Sequence, residues 1–418
     1  MLTSDLYLQV NRARLEDRIT ALAQIGAHGA ELGAGITRRA LSPEEDSAKE
    51  FIRACCTVEG IPTRQDGAGN LIARIGPHGP AVVTGSHLDT VPRGGHLDGA
   101  YGVIAGLEAL CCLKEREAEL TRAVELVAFT DEEGRFGAMV GSKCMSGDMD
   151  EQTLREARDE SGRSLADAFK ERGLSIEGAL EARREPSEVE RFIELHIEQG
   201  PVLETQGAEI GVVEEIVGIV RWRAVFRGEA NHAGTTPMEL RRDAFMGLTS
   251  FAQRLAELTK EHGSPAARVT IGEVNLSPGY MGVIPEEAHF TLDLRDIDQG
   301  RLEATNSALR ALASAVATER QLSLEIEEVG HLHPTQCDPQ VVSLIETLAQ
   351  TAGHHTLRLP SGATHDAVPM STLTPIGMIF VPSAQGVSHS PREYTSPEAL
   401  SSGADLLLNV LYRYATQP

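Results

Sequence analysis

Ala81-Val82-Val83-Thr84-Gly85-Ser86-His87-Leu88-Asp89-Thr90-Val91, followed by Gly95-His96-Leu97-Asp98-Gly99, decides the fold. The apolar run at 81–84 has the character of a buried strand. It delivers His87 to its end, and a glycine-flanked turn just beyond carries Asp98. A sheet edge arranged in this way presents two metal-ligating side chains into a cleft. The strand end Thr130-Asp131-Glu132-Glu133-Gly134 and two later histidines, His196 and His389, extend the set.

Outward from there, helix-like and strand-like segments alternate. Apolar spacing predicts helices at 8–22, 43–59 (opened by Ser42) and 102–114, with strands at 71–75, 81–86, 123–130 and 191–197. That alternation predicts an α/β fold, a mixed sheet flanked by helices, with its chemistry at the carboxyl ends of strands. Segment 146–190 is charged and poor in aromatics, as a surface excursion would be. A second pattern begins near Val213: strand 216–226, helix 238–261, strands 267–274 and 288–295, helix 299–320 and strand 322–329. The order β-α-β-β-α-β is that of a ferredoxin-like α+β sandwich. After Cys337 the first pattern resumes with helix 339–352, strand 375–381 and helix 397–414. The expected domains are a large one built from 1–212 and 331–418, and a smaller one, 213–330, inserted into it.

At 418 residues the chain exceeds one ordinary core, in keeping with two domains. A formal net charge of −23 argues against nucleic acid or an anionic membrane as partner, since both need a basic footprint. No apolar run approaches the ~20 residues of a membrane span. Met1-Leu2-Thr3-Ser4-Asp5 does not open a secretory signal, so a cytoplasmic location is expected. The six cysteines include the neighbours Cys55-Cys56 and Cys111-Cys112 and no C-x-x-C, which fits buried thiols rather than ligands.

A lone strand-end histidine is more often a hydrogen-bonded structural residue than a ligand; convergence changes that reading. His87, Asp98, Glu133, His196 and His389 make a mixed imidazole and carboxylate set suited to zinc, manganese, cobalt or nickel. Five such ligands serve two ions if one carboxylate bridges, and Asp98 is the simplest bridge, leaving each ion an open position. Asp89, two residues after His87, would accept the second ring N–H of that histidine through its side chain. A plain turn carboxylate is the alternative. Glu132 and Glu133 follow a buried strand, where negative charge needs a metal or a proton, although a solvated acidic turn is the commoner meaning. As a pair they read as a ligand, Glu133, and a general base, Glu132.

These residues lie in blocks that resemble the hydantoinase/carbamoylase family of amidohydrolases, part of the di-zinc aminoacylase and carboxypeptidase superfamily. The blocks are GSHLDTVPRGGHLDGAYGVIAGLEAL (85–110), TDEEGRFG (130–137), ELHIEQGPVLE (194–204), ANHAGTTPM (230–238), SGATHDA (361–367) and GVSHSPREYT (386–395). The resemblance implies hydrolysis of a ureido or amide C–N bond beside a carboxylate-bearing carbon, as for N-carbamoyl-L-amino acids, β-ureidopropionate and allantoate. It implies one ion on His87, Asp98 and His196, a second on Asp98, Glu133 and His389, zinc first among the candidate metals, and a bridging hydroxide with Glu132 as base. The inserted domain would be a lid and dimerisation domain of a homodimer, with His232 reaching an active site, often the partner subunit's. His365 would contact substrate with Asp366 orienting it, Arg295 would clamp the substrate carboxylate, and Gln199 would line the same pocket.

Two blocks depart from the family pattern. Members commonly read Asn-Val-Ile-Pro-Gly where this chain has Gly282-Val283-Ile284-Pro285-Glu286, and Ser-Gly-Ala-Gly-His-Asp where it has Ser361-Gly362-Ala363-Thr364-His365-Asp366. Gly282 supplies no side-chain amide, Glu286 adds negative charge, and Thr364 crowds the pocket. Either the substrate is a different amide, or Tyr280, Thr364 or another residue replaces a hydrogen bond worth roughly 1.5–3 kcal/mol. The expectation is a hydrolase of N-carbamoyl-L-amino acids or related small ureido or N-acyl compounds. An N-acyl-amino-acid deacylase or metallodipeptidase comes second. A silent binding protein on the same fold comes third, since it would have lost Glu132 or a ligand.

Overall fold

Strands β1 (Thr63–Gln65), β2 (Leu71–Ile75), β3 (Ala81–His87), β4 (Ala123–Phe129), β5 (Val189–Ile197) and β6 (Ile210–Ile216) come first in the computed structural model, which describes residues 7–29 and 32–416. Then follow β7 (Gly218–Arg227), β8 (Arg268–Thr270), β9 (Val274–Ser277), β10 (Glu287–Asp296) and β11 (Ser323–Leu332). The chain returns through β12 (Thr335–Gln336), β13 (Thr356–Ser361) and β14 (Ile376–Val381). Two compact units result, Met1–Glu214 with Cys337–Pro418, and Glu215–Gln336.

The first sheet has the order β1-β2-β4-β3-β5-β14-β6-β12, with β13 also on β6. Its four central strands, β4, β3, β5 and β14, are parallel, and the flanking pairs are antiparallel. The sheet is therefore mixed. β3, β4 and β14 are buried at every position, the mark of strands covered on both faces. Because the four are parallel, their carboxyl ends lie along one edge, and the candidate ligands follow from those ends. Helix Ala100–Lys114 is buried almost all round and packs on β3, β4 and β5.

Local hydrogen bonds explain where the observed helices differ from apolar spacing. The first helix is Arg12–Ala23 rather than 8–22: Asn11 caps it, and the N–H groups of Leu8 and Val10 are taken by Asn409 and Asp405. Ser42 does open Pro43–Val58, its side chain accepting the Glu45 N–H with Pro43 at the first helical position. Segment 146–190 is more than a surface excursion. Its short helices, including Glu151–Glu156, Leu165–Lys170 and Ile176–Glu181, bury Leu154, Leu165, Phe169 and Ile176 in a separate core shared with Leu41, Ala68, Phe136, Val140 and Cys144.

In the second unit the sheet order is β11-β7-β10-β8, with β9 also on β10, and every pair is antiparallel. Counting β8 and β9 as one interrupted strand, this is the ferredoxin-like order. Its core lies between the sheet and the helices Ala244–Ala252, Leu255–His262 and Gln299–Glu319, and Trp222, Phe226, Phe251 and Phe290 are buried in it. The expected helix 238–261 is broken because Asp243 accepts the N–H groups of Phe245 and Met246 and restarts the helix at Ala244. The expected strand 267–274 is split where the Glu273 N–H turns to the Thr291 hydroxyl. At the junction of the units, Ile216 pairs with Thr335 and the Cys337 N–H donates to Glu214 O at 2.9 Å.

Candidate metal centre

β3 ends on His87, whose Nδ1 lies 2.9 Å from the backbone carbonyl of Asp89. β5 ends just after His196, whose Nδ1 lies 2.8 Å from the Ile197 carbonyl. Carbonyls only accept, so each Nδ1 carries the ring hydrogen and each Nε2 offers a lone pair. Asp98, on the turn before Ala100–Lys114, receives both. Its Oδ1 is 3.2 Å from His196 Nε2 and 3.7 Å from His87 Nε2, and its Oδ2 is 3.0 Å from His389 Nε2. Gly99 follows with φ +63°, where a Cβ would lie 2.4 Å from the His87 ring, so only glycine lets this turn close on the imidazole.

Two donor groups share Asp98: His87, Asp98 and His196 on one side, and Asp98, Glu133 and His389 on the other. The first is enclosed, with side-chain exposures of 3% and 1% for His87 and His196, whereas His389 is 51% exposed. These donors fit divalent cations. The Gly99 N–H sits 3.1 Å from His196 Nε2 and requires a lone pair there. Glu133 Oε1 is buried with no hydrogen-bond partner. Burial pushes Glu133 up to about 8, and burial with Glu133 and Asp366 nearby holds Glu132 well above the usual carboxylate range. Asp98 alone is held well below it: burial opposes its ionisation, but His196 and His389 outweigh that. Such crowding of acid groups is what bound cations neutralise.

Asp89 takes a different part from the one its spacing suggests. The His87 ring N–H meets its carbonyl, just beyond the end of β3. Its carboxylate instead accepts the N–H groups of Glu132 and Glu133, at 3.3 and 3.1 Å. Asp89 therefore ties the end of β3 to the end of β4. Behind it Arg38 is fully buried, donating to the carbonyls of Leu88, Leu22 and Ile25. The turn bearing the two glutamates is closed by Asp131, at φ +58°, whose carboxylate accepts the N–H groups of Arg135 and Phe136. Glu132 Oε2 lies 3.7 Å from His87 Nε2, inside the cluster.

Gln199, also at positive φ, donates to Asp98 Oδ2 at 2.9 Å and to the Ser388 hydroxyl at 3.2 Å, against the ligand set itself. His365 sits edge-on to His196 with ring centroids 4.6 Å apart, and its Nε2 lies 2.9 Å from the Ser361 hydroxyl. Asp366 pairs not with His365 but with Ser142, at 2.5 Å. Glu194, His196 and His365 also lie close together. Both Glu194 oxygens are engaged there, by the Ser86 hydroxyl and the Ala367 N–H. Thr364 is half-buried beside His365.

Other expected residues lie in the second unit. His232 is exposed, and its Nδ1 accepts the N–H groups of Gly234 and Thr235, which leaves Nε2–H as an outward donor. Gly282 is its neighbour: residue 232 bridges Val283, and the Ala233 N–H donates to Gly282 O. Arg295, on β10, rests its Nε on Asp293 at 2.7 Å, and Arg221 binds the same carboxylate. Sequence reasoning missed Arg38, Asp131, Ser388 and Glu393 as supports of the cluster; only the last two lie beside a histidine block that signals them.

The sequence matches peptidase family M20/M25/M40 over residues 83–413. It is 38% identical to an N-carbamoyl-L-amino acid amidohydrolase of Geobacillus stearothermophilus over 94% of this chain and 97% of that one. It is 36% identical to an allantoate amidohydrolase of Bacillus subtilis, covering 96% and 97%. Among solved structures, a hydantoinase/carbamoylase family amidase from Burkholderia multivorans superposes with a TM-score of 0.89 at 32% identity, covering 98% of this chain and 99% of that one. The fold, the donor cluster and these likenesses agree: the chain belongs to peptidase family M20/M25/M40, among its hydantoinase/carbamoylase amidohydrolases.

Proposed function

We propose that this enzyme hydrolyses the C–N bond of an N-carbamoyl-L-amino acid or a closely related small ureido compound. The observation that carries the reading is the two-sided placement of Asp98, one oxygen toward His87 and His196 and the other toward His389. His87, Asp98 and His196 would hold one divalent ion, and Asp98, Glu133 and His389 a second, zinc before manganese, cobalt or nickel. Such ions, when bound, lower the pKa of a coordinated water and polarise the scissile carbonyl.

The protein's own groups do the rest. Glu132, inside the cluster, takes the proton of the attacking water and delivers it to the leaving nitrogen. His232 supplies its Nε2–H to the developing oxyanion. Arg295 holds the substrate carboxylate, exchanging Asp293 for it, while Gln199 and His365 line the pocket. Gly282 and Thr364 tune which group is accepted. The enzyme acts as a homodimer through the second unit. The exposed Met238, Leu240, Phe245, Met246, Tyr280 and Met281, all on that unit, support this.

The test is a panel of N-carbamoyl-, N-formyl- and N-acetyl-amino acids, allantoate and dipeptides given to metal-reconstituted enzyme, with ammonia release followed. Ammonia from carbamoyl compounds is expected; exclusive acyl or peptide cleavage would overturn the assignment. Glu132→Gln should keep its metal and lose at least about 100-fold in kcat, whereas loss of metal would mean that Glu132 is the ligand.

A further inference from the structure

One buried carboxylate outside the ligand set touches both limbs of the outer donor group. Glu393 Oε1 accepts the backbone N–H groups of Leu97 at 2.8 Å and Asp98 at 3.1 Å, and its Oε2 accepts the Ser388 hydroxyl at 2.8 Å. It thereby joins the Asp98 turn to the loop that carries His389, a link between segments about 290 residues apart. The chain makes room for it at Gly95, where a Cβ would lie 2.0 Å from Glu393 Oε1 and 2.1 Å from its Cδ.

We propose that Glu393 is a positioning residue that fixes the spacing of Asp98 and His389 and so sets the affinity of the outer ion. The inference rests on the two-ion reading above. The inner group has restraints of its own, since the His87 and His196 rings are each oriented by a neighbouring carbonyl. His389, by contrast, sits on a loop at φ +52° and is half exposed. Reach rather than charge is the essential property. A glutamine keeps all three contacts, its carbonyl oxygen accepting from Leu97 and Asp98 and its amide donating to the Ser388 oxygen. An aspartate is one methylene too short.

Metal-stripped protein titrated with Mn2+ by calorimetry, with metal content measured after desalting, tests this. Wild-type protein should take up two ions. Glu393→Ala and Glu393→Asp should weaken the outer ion about 10- to 100-fold, the usual effect of removing a group that supports a ligand, and weaken the inner ion, which shares Asp98, much less. Glu393→Gln should restore both ions, and Gly95→Ala, which crowds the carboxylate out, should behave like Glu393→Ala. Equal weakening of both ions, no weakening in any of these variants, or a glutamine as defective as alanine overturns the inference. Wild-type protein that binds fewer than two ions overturns the two-ion reading and the inference with it.

Discussion

Asp89 accepts two consecutive backbone N–H groups with one carboxylate. An asparagine has one acceptor oxygen, and its amide would face the second N–H. Asp89→Asn should therefore misplace Glu132 and Glu133 and cost about 1–3 kcal/mol of stability, with kcat falling more than KM rises. Urea denaturation and steady-state kinetics check both. Protons and metal also compete in the cluster. In the metal-free protein His389 is raised to about 9 by Asp98, and burial holds Glu133 up at about 8. Imidazoles with folded values above the free ~6.5 contribute stability that is complete below 6.5 and lost as pH rises through 9. Stability of the metal-free protein should fall across that window, and metal uptake at pH 7 should release more than one proton. Calorimetry in buffers of different ionisation enthalpy measures the release; a buffer-independent heat would refute it. At this scale the ligands were legible because strand-end histidines and a glycine-flanked aspartate are local signals. Arg38, Glu393 and the carboxylate of Asp89 were not, because each has a partner some 40 to 300 residues away.

Strands β3, β4 and β14 were readable as apolar runs because burial on both faces leaves no alternation to interpret. The helix breaks at 241–243 and the split between β8 and β9 were not. Asp243 and Thr291 look like ordinary polar residues until their hydrogen bonds to N–H groups are seen. The core that 146–190 helps to form was hidden for another reason: the segment's helices are six residues or so, too short for a period to show. That segment is pinned to the sheet by charge. Glu125, buried in the middle of β4, accepts Arg74 at 2.6 Å and Arg184 at 2.5 Å. Removing Arg184 leaves Glu125 with Arg74 alone and one oxygen without its charged donor, so Arg184→Met should cost roughly 1.5–3 kcal/mol. Adding Glu125→Gln should recover part of that cost, giving a favourable coupling in a double-mutant cycle read by denaturation; additive costs would show that the pair does not hold the segment.

Over the whole molecule, the change in pattern at 213 led to an expected insert of 213–330, and the second compact unit runs from Glu215 to Gln336. The proposed dimer has no comparable signature in a single chain, because an exposed apolar side chain reads like any other. If the second unit is the dimer surface, Leu240→Glu with Met281→Glu should convert dimer to monomer in sedimentation velocity and leave the melting of the metal-loaded fold nearly unchanged. A wild-type monomer, or a double variant that stays dimeric, would refute that surface. β14 has one more consequence. It lies between β5 and β6, so the central sheet stands divided until residues 376–381 have left the ribosome. The second unit, complete at 336, is made entirely before that. During synthesis the nascent enzyme therefore holds two open strand edges, at β5 and β6, that invite wrong pairing, and no finished cluster. The metal can be secured only after translation has passed His389.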